Sequence, residues 1–221
     1  MTVDYDACRK NMVECQLCTN GIIDEDIIRF FEDIPREFFL PDEKKPFAYV
    51  DEDIMLDEDE FLLEPLIHAR LLQLAALKKS DVMLNIGDST GYVSAVAANL
   101  VGTVVAIEKK AGLLDRAREI WAAHSTCNVA TVEGVYVDGS PENGPYDVIL
   151  INGAVVNLPE KLKDQLAVNG KLLYVHRPTP LGSGKIKVIT RVDENEFSEV
   201  TYHDSSAPYV DGFAPEEEFV F

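Results

Sequence analysis

Asn85-Ile86-Gly87-Asp88-Ser89-Thr90-Gly91 stands between an apolar run, Val82 to Ile86, and a small-residue stretch that begins at Tyr92. Glycines at such a turn let the backbone approach a ligand closely and aim main-chain amides at it. Glu108 closes the next apolar run, 21 residues after Gly87. An acid in that place accepts hydrogen bonds from both ribose hydroxyls of an adenosine-containing ligand. Turn and acid together read as a nucleoside site; the alternative is a tight turn with a solvated strand-end acid. A dinucleotide fits less well, because G-x-G-x-x-G wants glycine where Ser89 stands and a third glycine that is missing. S-adenosyl-L-methionine carries no pyrophosphate, so these departures bear on it less.

The elements that must position these residues follow from periodicity. Asp6 to Cys18 has apolar or small residues at helical spacing and stops at Asn20-Gly21. Asp24 opens a second helix that ends before Pro35, and Pro65 opens a third after an irregular, acid-rich stretch. From Ser80 strands and helices alternate: Val82 to Ile86, helix Tyr92 to Leu100, Thr103 to Ile107, helix Leu113 to Ala123, Asn128 to Val132, and Val148 to Ile151. A helix from Pro159 to Asn169-Gly170 and a strand from Lys171 to His176 complete the alternation. This pattern predicts an α/β fold with a Rossmann-like, doubly wound parallel sheet. Lys185 to Arg191 and Glu199 to His203, joined by the turn-forming Asp193-Glu194-Asn195, predict a C-terminal antiparallel hairpin. A parallel sheet finished in that way is typical of S-adenosylmethionine-dependent methyltransferases. The expected organisation is one domain over 1–221, with a helical N-terminal extension (1–79) and the Rossmann-like core (80–221).

Charge narrows the partners. The chain has 39 acidic and 20 basic residues, a formal charge of -19, and no basic cluster beyond lysine pairs. Nucleic acids and anionic membranes draw their affinity from Lys and Arg, so neither is an expected partner. The acidic N-terminus and the lack of a long apolar run predict a soluble, cytoplasmic protein.

At this level the chain resembles the protein-L-isoaspartate O-methyltransferases. The matching pieces are Met12 to Leu17, Asn20 to Ile22, Ile34 to Glu37, Ala48-Tyr49, Pro65, Gly87 to Tyr92, Ile107-Glu108, Pro145 to Asp147, Leu158-Pro159 and Asp164 to Leu166. They fall in the family's order over roughly Cys8 to Val175. The resemblance implies S-adenosyl-L-methionine as cofactor and methyl transfer to the free carboxylate of isoaspartyl residues in a damaged peptide or protein, with another small substrate as an alternative acceptor. It assigns the cofactor to Asn85, Gly87, Asp88, Ser89, Gly91, Glu108, Gly134 and Val135. Three positions depart from the family. Leu63 replaces a serine at the reaction centre, Asn85 replaces an acid that helps fix the cofactor's charged end, and Val135 replaces an aspartate that bonds the adenine amino group. These departures leave no residue assigned to catalysis and sustain a second reading, a methyltransferase-fold binding or scaffold protein.

Other candidates carry less. Cys15 and Cys18 form a C-x-x-C without further ligands and read as buried or incidental thiols. The acids from Asp51 to Glu60 lack the spacing of a calcium loop and read as a solvated face, so no metal is expected. His68 reads as a partly buried structural histidine, the alternative being the pocket mouth. The tail Phe213 to Phe221, acids mixed with aromatics, is suited to docking on its own domain or on a partner.

Overall fold

The computed structural model describes residues 3–215. Its centre is a seven-stranded sheet built from β3 (Val82–Ile86), β4 (Thr103–Glu108), β5 (Val129–Glu133), β6 (Tyr146–Val155), β7 (Leu166–His176), β8 (Gly184–Arg191) and β9 (Phe197–Ser205). The spatial order is β5-β4-β3-β6-β7-β8-β9. The first five strands pair in parallel, and β8 and β9 are antiparallel to their neighbours. This is the Rossmann-like sheet with the C-terminal hairpin that the sequence predicts.

Burial on both faces explains the apolar runs. Met83, Leu84, Ile86, Ile149, Ile151, Leu172 and Leu173 are all fully buried, as a parallel sheet covered on both sides requires. The chain leaves β3 toward β4 on one side, and β6 lies on the other, so the strand order reverses between β3 and β6. A crevice opens at the carboxyl ends of the strands at such a point.

Helices α4 (Tyr92–Ala98) and α5 (Ala111–Ala123) follow β3 and β4. The N-terminal part contains α1 (Tyr5–Asn11), α2 (Glu25–Asp33) and α3 (Pro65–Ala75). The Asp4 side chain caps α1, and Asp24 caps α2 by accepting from the amides of Asp26 and Ile27. The first helix continues as a π-helical turn, Met12–Leu17, and ends at Gly21 with φ 84°. Lys171 ties α3 to the sheet by donating to the carbonyls of Leu74 and Ala75, each at 3.1 Å. Those are last-turn carbonyls that lack an intrahelical partner. The acid-rich stretch contains a small hairpin, β1 (Ile54–Met55) with β2 (Phe61–Leu62), which periodicity did not indicate.

One predicted element is shorter than expected. The helix from Pro159 to Asn169 reduces to α6 (Glu160–Lys163), and the strand predicted from Lys171 begins at Leu166. Leu162 and Leu166 fit a helix stripe, but Leu166 instead pairs with Tyr146 and is fully buried. The Gln165 side chain holds the change of direction, accepting from Ser140 N and donating to the carbonyls of Asp138 and Lys161. Ala167 to Gly170 then bulge out of register, with Asn169 at φ 68°.

Among the described residues, no helix is long and apolar enough to cross a membrane. No group of three or more His, Cys, Asp or Glu residues there is placed to hold a metal.

Candidate cofactor cleft

The carboxyl ends of β3, β4 and β5 bring the predicted nucleoside residues together. Gly87 and Gly91 adopt φ 73° and 79°, the left-handed region that favours glycine. A Cβ on Gly91 would lie 2.8 Å from Ala117 Cβ and 2.9 Å from Trp121 Cζ2. The Trp121 indole donates to the Gly91 carbonyl at 2.9 Å, so α5 braces the turn.

Asn85 is fully buried on β3 and lies in a polar network across the strand reversal. Asn152 Nδ2 on β6 donates to the Ile86 carbonyl at 2.8 Å and to Asn85 Oδ1 at 2.7 Å. That orients the Asn85 amide: its Nδ2 donates to Ser94 Oγ at 2.7 Å and to Asp88 Oδ2 at 3.2 Å. Asp88 also accepts from the amides of Ser94 (2.7 Å) and Gly91 (3.1 Å) and from the Thr90 hydroxyl (3.3 Å). Burial raises the Asp88 carboxyl above its ordinary value, and these hydrogen bonds oppose the rise. Ser89 is buried beside it.

Glu108, 4 % exposed, ends β4. Its Oε1 accepts from the amides of Lys109 and Lys110 and from the Tyr136 hydroxyl. Its Oε2 is buried with no partner. Burial raises the Glu108 carboxyl, and the charge of Asp88 adds to the rise. An unpartnered buried carboxylate oxygen is costly unless a ligand satisfies it. A ribose diol meets that requirement, and the residues present therefore fit the nucleoside half of S-adenosylmethionine. Gly134 donates its amide to the Glu108 carbonyl at 3.1 Å, and the neighbouring Val135 is 52 % exposed.

Leu63 is buried between β2 and α3, and its carbonyl accepts from Arg36. Arg36 is itself fully buried, with its guanidinium 5.0 Å from the centre of the Tyr92 ring. Burial lowers it to about 10. His68, expected to be partly buried, is 1 % exposed, with Nδ1 unpartnered and its ring 6.4 Å from that of Tyr92. Burial and then the charge of Arg36 hold it well below the usual histidine range. The neutral ring is core and does not reach a pocket mouth. Cys15, Cys18 and Cys127 are exposed and free rather than buried, and Cys8 is half-buried.

Glu64, next to Leu63, is pushed up to about 7, first by burial and then by Asp53 and Asp51. A carboxyl whose pKa rises on folding binds its proton more tightly in the native state. Its contribution to stability is therefore present below the usual carboxylate range and is lost as pH rises toward 7. Glu64→Gln is expected to flatten this fall, raising the melting temperature more at pH 8 than at pH 5. Thermal melts at the two pH values check it; an equal shift at both would remove Glu64 as the titrating group.

Periodicity missed one wall of the cleft. After β9 the chain returns over the ends of β6 and β3 as a strap, Ala207 to Phe213. Ala154 donates to the Pro208 carbonyl at 2.7 Å, Val210 to Ala154 at 3.1 Å, and Val156 to Phe213 at 3.0 Å. A Cβ on Gly87 would meet Val210 Cγ1 at 3.0 Å, and one on Gly153 would meet Val210 Cγ2 at 2.6 Å. Asp211 pairs with Lys109, next to Glu108. Phe213, the first residue of the predicted docking tail, is buried; 216–221 lie outside the described residues. Asn152 and Tyr136 were missed as well, although an asparagine within Val148-Ile-Leu-Ile-Asn-Gly-Ala154 is a visible polar interruption.

Comparison with known proteins identifies the family and the fold. The profile of the family described as Protein-L-isoaspartate(D-aspartate) O-methyltransferase matches residues 8–211. A protein-L-isoaspartate O-methyltransferase of Methanoculleus marisnigri is 30% identical over 197 residues, covering 88% of this chain and 87% of the relative. One from Synechococcus sp. is 34% identical over 176 residues, covering 80% and 72%. Among solved structures, a Plasmodium falciparum putative protein-L-isoaspartate O-methyltransferase in complex with S-adenosyl-L-homocysteine superposes with a TM-score of 0.76. It is 20% identical, with coverage of 91% of this chain and 97% of that one, and shows the shared fold. With the sheet order, the glycine turn and Glu108 all in place, this chain belongs to the protein-L-isoaspartate O-methyltransferase family, whose members are S-adenosylmethionine-dependent O-methyltransferases.

Proposed function

We infer that this protein is an S-adenosylmethionine-dependent O-methyltransferase that methylates the free carboxylate of isoaspartyl residues in proteins. The observation that carries the reading is the unpartnered, buried Oε2 of Glu108 at the end of β4, in a chain matched to the family over residues 8–211. Glu108 would hold the ribose hydroxyls. Gly87, Ser89 and Gly91 would supply close backbone approach, and Asp88 with Asn85 would line the amino-acid end. Gly134 and Val135 would border the adenine, with Val135 offering apolar contact where it has no polar group to give. The cofactor, when bound, supplies a methyl group activated by a sulfonium.

An acceptor carboxylate is already ionised at neutral pH, so no general base has to remove a proton from it. The protein's part is then to position the acceptor and keep water out. The buried Phe61, Leu62 and Leu63 would supply a dry wall beside the acceptor. The same wall favours an acceptor with an apolar neighbour beside its carboxylate. Family membership over most of the chain does not favour the scaffold reading.

The test is methyl transfer from labelled S-adenosylmethionine to an isoaspartyl peptide, with the matching aspartyl peptide as control. Transfer to the first alone is expected. No transfer to either at high enzyme concentration would reject the isoaspartyl activity, and transfer to an unrelated apolar carboxylic acid instead would reassign the acceptor.

A further inference from the structure

Two carboxylates, Asp88 and Glu108, border the cleft without a cation of their own. Among the described residues neither takes part in a salt bridge. The lysines that follow Glu108 are committed elsewhere, Lys109 to Asp211 and Lys110 to Glu60. Glu108, more than nine-tenths buried, keeps one oxygen unpartnered. The buried Arg36, which feels the charge of Asp88, has the Leu63 carbonyl as its bonded partner. Buried negative charge of this kind is costly and favours a cationic ligand.

The cofactor named above has an amino-acid end that carries an ammonium group. Asn85, at the end of β3, is neutral, and its carbonyl oxygen accepts from Asn152. Its amide nitrogen points at Asp88. The strand end therefore has no charge to offer an ammonium group, and its side-chain acceptor is shared with Asn152. Asp88 has the charge. Of the donors on it, the amides of Gly91 and Ser94 come from the turn and the first turn of α4, whereas the Asn85 amide and the Thr90 hydroxyl lie at 3.2 and 3.3 Å. The Thr90 hydroxyl contact, the longest of the four, is the one a charged donor can outcompete, while the Asn85 amide stays to orient the carboxylate.

We propose that Asp88 supplies the countercharge for the cofactor's ammonium group, and that Asn85 and Asn152 are positioning residues that hold the Asp88 carboxylate toward it. The acid has moved from the strand end to the turn, and the Asn85–Asn152 amide pair spans the place it left. This rests on the cofactor reading above. It makes Asp88 the residue that separates S-adenosylmethionine from nucleosides lacking the amino-acid end.

The experiment compares two ligands by calorimetry, S-adenosylmethionine and methylthioadenosine, which shares the nucleoside but has no ammonium group. Asp88→Asn is expected to weaken S-adenosylmethionine by about 10- to 100-fold, the loss of one hydrogen bond to a charged partner, and methylthioadenosine by less than about 3-fold. Asn85→Asp added to Asp88→Asn is expected to restore most of the loss by returning an acid to the strand end. Equal weakening of both ligands would make Asp88 a structural brace of the turn and overturn the proposal, as would an unchanged affinity for S-adenosylmethionine. If Asp88→Asn does not fold, the wild-type protein gives the answer: acidification from neutral pH should lower the affinity for S-adenosylmethionine relative to methylthioadenosine. A constant ratio would overturn the proposal. If the wild-type protein binds neither ligand, the cofactor reading itself fails.

Discussion

Glu108→Ala should weaken S-adenosylmethionine binding by about two to four decades, because two ribose hydroxyls each lose a charged acceptor contributing about 1.5–3 kcal/mol. The substitution also strips the Tyr136 hydroxyl and the Lys109 and Lys110 amides of their acceptor. Methylthioadenosine should lose as much as S-adenosylmethionine, since both carry the ribose; this pattern is the opposite of that expected for Asp88. Glu108→Gln keeps the shape and one acceptor and should fall between wild type and alanine. Calorimetry with both ligands, beside circular dichroism to verify folding, measures the effect. A loss below about 3-fold for Glu108→Ala would detach this residue from the ribose, because a single neutral hydrogen bond already accounts for that much.

The largest effect on stability is expected at the turn. Gly91→Val forces a β-branched residue to φ 79° and drives its Cβ into Ala117 and Trp121. The left-handed conformation costs about 1–2 kcal/mol and overpacking a further 1–3 kcal/mol. For a chain of this size each kcal/mol lowers the melting temperature by roughly 2–4 °C, so the fall should be roughly 5–20 °C. Trp121 is the single tryptophan, and its indole is bound to the Gly91 carbonyl, so its fluorescence reports on this site. A red-shifted emission in the folded variant is expected together with the lower melting temperature. An unchanged melting temperature and spectrum would show that the turn yields without cost.

Sheet and turn were legible in the sequence for a simple reason. Strands buried on both faces must be written as continuous apolar runs, and Val82 to Ile86, Thr103 to Ile107 and Val148 to Ile151 are such runs. Glu108 was legible because an acid ending such a run is conspicuous. Leu166 was misread because Leu162 and Leu166 satisfy a helical period, while the side chain that stops the helix, Gln165, acts through partners far away in sequence. Asn85 was singled out, but its partner Asn152 depends on the register between β3 and β6, and the two lie 67 residues apart. The strap was invisible for a different reason. Its hold on β6 is made by main-chain groups, and those leave no trace in residue type. His68 was placed on the correct helix, but its depth follows from packing against Tyr92 and Arg36 rather than from its own neighbours in the chain.

The strap also gives the molecule an order of completion. A ribosome delivers Gly87, Glu108 and Gly153 well before Val210, the residue whose side chain packs on Gly87 and Gly153. During synthesis the central strands are free to pair, while the cleft still lacks one wall. That wall arrives after β9, and only then does Lys109 meet Asp211. A chain cut short before the strap loses the finished cleft first, with the strands from β3 to β9 already made.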